Sequence, residues 1–124
     1  MESLGLAVLY TSQYISLSTL EILVRASKNT SPADYTLTSF DIPDQGIYPV
    51  ELKKLKKDWQ DDPQYTQGIG EELLRGNKSL CLKVPSAIVP QENNFLLNPL
   101  HADFKKVKII LPELLGLDKR LTVY

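Results

Sequence analysis

Cysteine and histidine each occur once in this chain of 124 residues, as Cys81 and His101. A single cysteine excludes an internal disulfide, and an isolated thiol among apolar residues suits a reducing compartment, which points to the cytoplasm. One cysteine and one histidine cannot assemble a metal site of the Cys/His type. With a single histidine and no Gly-x-Ser-x-Gly elbow, serine-hydrolase chemistry is disfavoured as well. Neither sign of charge is in excess, with 14 Lys and Arg against 15 Asp and Glu, so no global field recruits nucleic acid or an anionic membrane. Any anionic ligand has to be held by local contacts. No uncharged apolar run approaches the roughly 18 residues of a membrane helix, and the N-terminus lacks the basic and apolar segments of a secretory signal. Internal repeats and low-complexity tracts are also missing, and Gly68-x-Gly70 lacks the third glycine of a dinucleotide-binding turn.

What is present suffices for one domain with a real core. Leu6 to Tyr10 is a short apolar run bounded by Gly5 and by Thr11-Ser12, the pattern of a buried strand inside a sheet. Leu17, Leu20 and Val24 recur at helical spacing and predict a helix from about Ser16 to Ser27, with Lys28-Asn29 near its C-terminal end. Tyr35 to Ile42 alternates as a strand does and stops at Pro43. Within the Pro- and Gly-containing stretch that follows, Glu51 to Lys57 fits a short helical turn or an exposed strand equally well. Its lysines 53, 54, 56 and 57 read as a solvated face. Thr66 can cap a helix through about Arg75, with Gly76 as its stop. Further strands are expected at Leu80 to Val84, Phe95 to Leu97 and Lys106 to Leu111, with Pro85 and Pro112 ending the first and the last. Several short strands with two clear helices make the expected class α+β.

Glu21 lies close to the stripe of Leu17, Leu20 and Val24 on a helical wheel, so its carboxylate is expected to face the domain. Two readings stand: a capping box with Ser18 or a pair with Arg25 one turn on, or a carboxylate held for chemistry. Tyr10 and Ser12 close a strand, where an aromatic face and a hydroxyl either serve packing and a turn or line a ligand pocket. Ser86 follows Pro85 at a strand end, a position expected to present its hydroxyl rather than bury it, as a turn serine or a ligand contact. Cys81 in its apolar strand and His101 beside Asn98-Pro99 are expected to be structural.

In order and spacing, the following segments resemble the RES domain: Leu9-Tyr10-Thr11-Ser12, Glu21 in the first helix, Asp58-Trp59, Thr66-Gln67-x-x-Gly70, Val84-Pro85-Ser86, Asn98-Pro99-x-His101, Asp103-Phe104 and Asp118-Lys119-Arg120-Leu121. The RES domain is a family of bacterial toxin enzymes named for an Arg, a Glu and a Ser that act on NAD. No one segment is specific; their succession along nearly the whole chain is. The family's arginine lies in a Gly-Gly-Arg-Trp-like segment upstream of the Tyr-Thr-Ser strand, where this chain has only Met1 to Val8. The resemblance therefore implies a domain that is partial at its N-terminus.

It also implies an α+β fold similar to the ADP-ribosyltransferases, with packed, bent sheets opening into a cleft for NAD. NAD would be substrate rather than cofactor. The implied reaction cleaves the nicotinamide to ribose bond and passes ADP-ribose to phosphate, as in NAD phosphorylases, or alternatively to a protein. The implied partner is an Xre-type helix-turn-helix antitoxin, with no direct contact to nucleic acid or membrane and no metal. By position, Glu21 takes the catalytic role and Tyr10, Ser12 and Ser86 bind NAD. A carboxylate beside the ribose suits this chemistry because it stabilises the oxocarbenium-like charge. Without the family arginine, positioning of the NAD phosphates suffers and weak turnover is expected. The competing expectation is an inactive domain that only binds the antitoxin.

Overall fold

Short apolar stretches punctuated by proline and glycine fold as strands, and the two stretches with helical spacing fold as helices. The computed structural model describes residues 8–25 and 35–122. Along the chain run β1 (Leu9–Ser12), α1 (Ile15–Arg25), β2 (Thr36–Asp41), β3 (Ile47–Pro49), α2 (Pro63–Leu74), β4 (Cys81–Pro85), β5 (Asn93–Leu97) and β6 (Lys108–Leu114), with 3₁₀ turns between several of them. Four strands form one sheet in the order β1-β5-β4-β3, and β2 pairs with β6 in a second. Among the described residues every pairing is antiparallel except β3 with β4, whose crossover carries α2. The architecture is α+β.

β4 is covered on both faces, which is why Cys81 and Leu82 are both fully buried where a half-exposed strand would alternate. On one face Cys81, Leu97 and Val107 pack with Phe40, Ile42 and Phe104, joining the four-stranded sheet to the two-stranded one. On the other, Leu82 and Leu96 pack with Leu74 of α2, and Tyr10 and Val84 extend this cluster. The register puts Tyr10 opposite Leu96, Ser12 opposite Asn94 and Val84 opposite Asn94, so these residues share the second face.

Gly46 is where the turn into β3 meets the first cluster. A Cβ there would lie 2.7 Å from Cδ2 of Leu80 and 3.3 Å from its Cβ, and Leu80 is itself buried. Gly46→Ala is expected to cost about 1–3 kcal/mol of stability through overpacking, read as a lowered urea midpoint with an unchanged slope.

Three local expectations change, and one left open is decided. β1 pairs with β5 alone among the described residues and so lies at the sheet's edge, not inside it; Leu6 and Ala7 fall outside the described residues, as does the end of the first helix expected near Ser27. α2 starts before Thr66, because Asp62 accepts from the Tyr65 N–H at 3.0 Å and Pro63 occupies a first-turn position that needs no donor. Lys56 hydrogen-bonds the Asp62 carboxyl and, with the Tyr65 N–H, holds it below the usual carboxylate range. Pro112 does not end β6. The register moves from Ser39 opposite Ile110 to Leu37 opposite Glu113, so one extra residue bulges from β6, and an edge strand tolerates a proline there. Finally, the undecided stretch near the lysines holds a 3₁₀ turn at Leu52–Lys54 on an exposed surface.

Candidate active site

A cavity of about 300 Å³ opens between α1, the Tyr10 face of the larger sheet and α2. Leu55, Trp59, Ile69, Val84, Ile88 and Leu96 make its walls mostly apolar, and Trp59 is buried. Such volume and lining suit a flat organic ring. Among the described residues, Glu21 is the one charged side chain in that lining.

α1 directs Glu21 inward, although not through the expected stripe. Leu17 is 1% exposed, whereas Leu20 and Val24 are 42% and 67% exposed. Leu17 and Thr19 are the buried residues of the helix, and Glu21, one turn on from Leu17, is half-buried and lines the cavity. Ser86 departs further from expectation. Its side chain is fully buried rather than presented. The hydroxyl accepts from the backbone N–H groups of Ile88 at 3.1 Å and Val89 at 3.2 Å, and donates to Glu21 Oε1 across a long 3.4 Å contact. The turn role and the site role thus fall on one hydroxyl. Gln60 ties the Trp59 turn to the same loop by donating to the Ala87 carbonyl at 2.9 Å.

Tyr10 is half-buried and lines the cavity. With Glu21 and Asn94 it also borders a second, more polar cavity of about 350 Å³, where Ser12 and Ser18 lie. Ser12 lines this second space but not the first, and donates to Asn94 Oδ1 at 2.9 Å. The structure therefore brings Tyr10 and Glu21 together, sets Ser86 behind Glu21, and holds Ser12 one step away. Trp59, Gln60 and Asn94 were not singled out as site residues in the sequence. For Asn94 a signal existed: strand alternation counted back from Leu96 places it on the same face.

Cys81 and His101 lie elsewhere. His101 Nδ1 accepts from the Asp103 N–H at 3.0 Å, capping the 3₁₀ turn at Ala102–Lys106. Burial pushes the Cys81 thiol up to about 12, so it is no nucleophile at neutral pH. Because the folded-state value lies above the unfolded one, the associated stability is complete below about pH 8.5 and is lost as pH rises toward the folded value. Between about pH 8 and about pH 10.5 the urea midpoint of the wild type is expected to fall more steeply than that of Cys81→Ala.

The RES domain family model matches residues 1–118 of the chain. The chain belongs to the RES-domain family. It is 37% identical over 122 residues to a protein named Toxin Res from Photorhabdus laumondii, covering 96% of this chain and 78% of that one. A Toxin Res from Yersinia enterocolitica is 35% identical over 120 residues, covering 94% and 79%. A Sphingobium protein named Prs ADP-ribosylating toxin is 29% identical over 109 residues, covering 84% and 68%. The α+β fold is that of a RES domain, and its likeness to the ADP-ribosyltransferases follows from the family. In this RES domain the glutamate and the serine quoted for the resemblance, 65 residues apart, meet at the cavity wall. No helix among the described residues is long and apolar enough to cross a membrane.

Proposed function

We propose that this RES domain cleaves the bond between nicotinamide and ribose in NAD and passes ADP-ribose to inorganic phosphate. The observation that supports it is Glu21: the one charged side chain in the described cavity lining, beside the Tyr10 ring and in contact with a buried serine hydroxyl. A negative charge so placed favours a cation more strongly than it would in water. As the C1′–N bond breaks, its electron pair goes to the ring nitrogen, nicotinamide leaves neutral, and positive charge develops on the ribose. Glu21 stabilises that charge until a phosphate oxygen bonds to C1′. Tyr10 stacks on the leaving ring, Ser86 holds the carboxylate, and Ser12 contributes to NAD binding from the second cavity.

Transfer to a protein nucleophile is the second reading, supported by the relative named Prs ADP-ribosylating toxin. In either reading the partner is an Xre-type antitoxin and the compartment is the cytoplasm. The test is nicotinamide release from NAD, with and without phosphate, followed by mass analysis of the ribosyl product. Phosphate-dependent release with ADP-ribose phosphate formed supports the first reading; phosphate-independent release with label on protein supports the second. A folded chain that releases no nicotinamide overturns both and leaves a domain that only binds its antitoxin.

A further inference from the structure

The face of the larger sheet that meets the cavity is apolar at Leu82, Val84 and Leu96, and Asn94 interrupts it. A side-chain amide in that row is not what packing would select. A leucine of similar branched shape would continue the face and leave no polar group to satisfy. The amide is also held in one direction. Ser12, its cross-strand partner, donates to Oδ1 at 2.9 Å, which turns the NH₂ group away from β1. Asn94 is half-buried, and since no buried side-chain polar atom among the described residues lacks a partner, this NH₂, which has no partner in the hydrogen-bond network of the described residues, is open to the cavity. Asn94 also lies at the junction of the two cavities, whose shared lining consists of Tyr10, Glu21 and Asn94.

We propose that Asn94 is a substrate-binding residue whose side-chain NH₂ donates to a neutral oxygen flanking the scissile bond, with Ser12 as the positioning residue that sets the amide's direction. Two groups of the substrate present such an oxygen: the carboxamide of nicotinamide and a hydroxyl of the ribose joined to it. This rests on the reading of NAD as substrate. The neighbouring Glu21 carboxylate explains why a neutral acceptor is specified, since an anionic one would be repelled at the same junction.

Calorimetric titration with nicotinamide and, separately, with ADP-ribose tests the assignment without turnover, and quenching of Trp59 in the cavity wall gives a second signal. Asn94→Ala and Asn94→Leu are expected to lose about tenfold in affinity for one of the two ligands, as removal of a single directed hydrogen bond does. A loss confined to nicotinamide identifies the carboxamide, and one confined to ADP-ribose identifies the ribose. Asn94→Leu is also expected to match or exceed the wild type in thermal midpoint, an outcome that a merely structural amide would not produce. Ser12→Ala should lose about threefold for the same ligand, and Ser12→Thr, which keeps the hydroxyl, should restore it. Wild-type affinity for both ligands in the Asn94 variants overturns the assignment and leaves the NAD reading standing. Equal loss for both ligands together with a lowered thermal midpoint also overturns it, by showing a structural role. A wild-type chain that binds neither ligand sinks the NAD reading, and this assignment with it.

Discussion

Glu21→Gln is expected to lower nicotinamide release from NAD by roughly two to three orders of magnitude, the effect typical of removing one preorganised electrostatic stabiliser. Glutamine keeps the size of the side chain and leaves an oxygen to which the Ser86 hydroxyl can still donate, so the change removes charge and little else. The ground state should feel it far less. Free nicotinamide is neutral, and its affinity is expected to stay within about threefold of wild type. Turnover and product binding therefore move apart, whereas a folding defect would move both. Glu21→Asp, which retains the charge but withdraws it by one methylene, should fall between the two. Single-turnover release, quantified beside a far-ultraviolet circular dichroism spectrum, decides the matter. A glutamine variant within about threefold of the wild-type rate would remove Glu21 from the chemistry.

Ser86→Ala carries the second large effect because one hydroxyl serves two purposes. It is the acceptor for the backbone N–H groups of Ile88 and Val89, which are half-buried, while Ser86 itself is fully buried. Alanine removes the acceptor of both, and because solvent reaches part of this loop the expected destabilisation is about 1–3 kcal/mol. The same hydroxyl donates to Glu21 Oε1, so the carboxylate gains rotational freedom and turnover should fall about tenfold further than the loss of folded protein accounts for. Chemical denaturation gives the first quantity. A double-mutant cycle with Glu21→Gln gives the second, since a serine that acts through Glu21 adds nothing once the charge is gone. Strict additivity in turnover would show instead that Ser86 works independently of Glu21.

The parts of the fold legible in the sequence were those encoded by short-range period and punctuation. The strand alternation of Tyr35 to Ile42, the stop at Gly76 with its φ of 77° and the apolar strand around Cys81 all appear close to where they were expected. Errors arose where local chemistry allowed two outcomes. Thr66 and Asp62 are both competent caps, and Pro63 at the helix start selects Asp62. Pro112 would end a central strand, but at a bulge on an exposed edge it costs only a donor that the ladder does not use.

For the site, sequence by itself determined the chemical inventory: a glutamate near the inward side of a helix, an aromatic ring at a strand end, a serine after a proline, and a family succession that names them together. It also determined that Cys81 and His101 could build neither a disulfide nor a Cys/His metal centre. Tertiary structure alone decided which side of α1 is covered, that Ser86 is buried and meets Glu21, and that Asn94 stands between two cavities with Ser12 directing its amide. The reason is physical. Helical and strand periods arise from backbone geometry within a few residues, whereas burial and hydrogen-bond partnership depend on packing between segments some 65 to 82 residues apart, which no local pattern specifies.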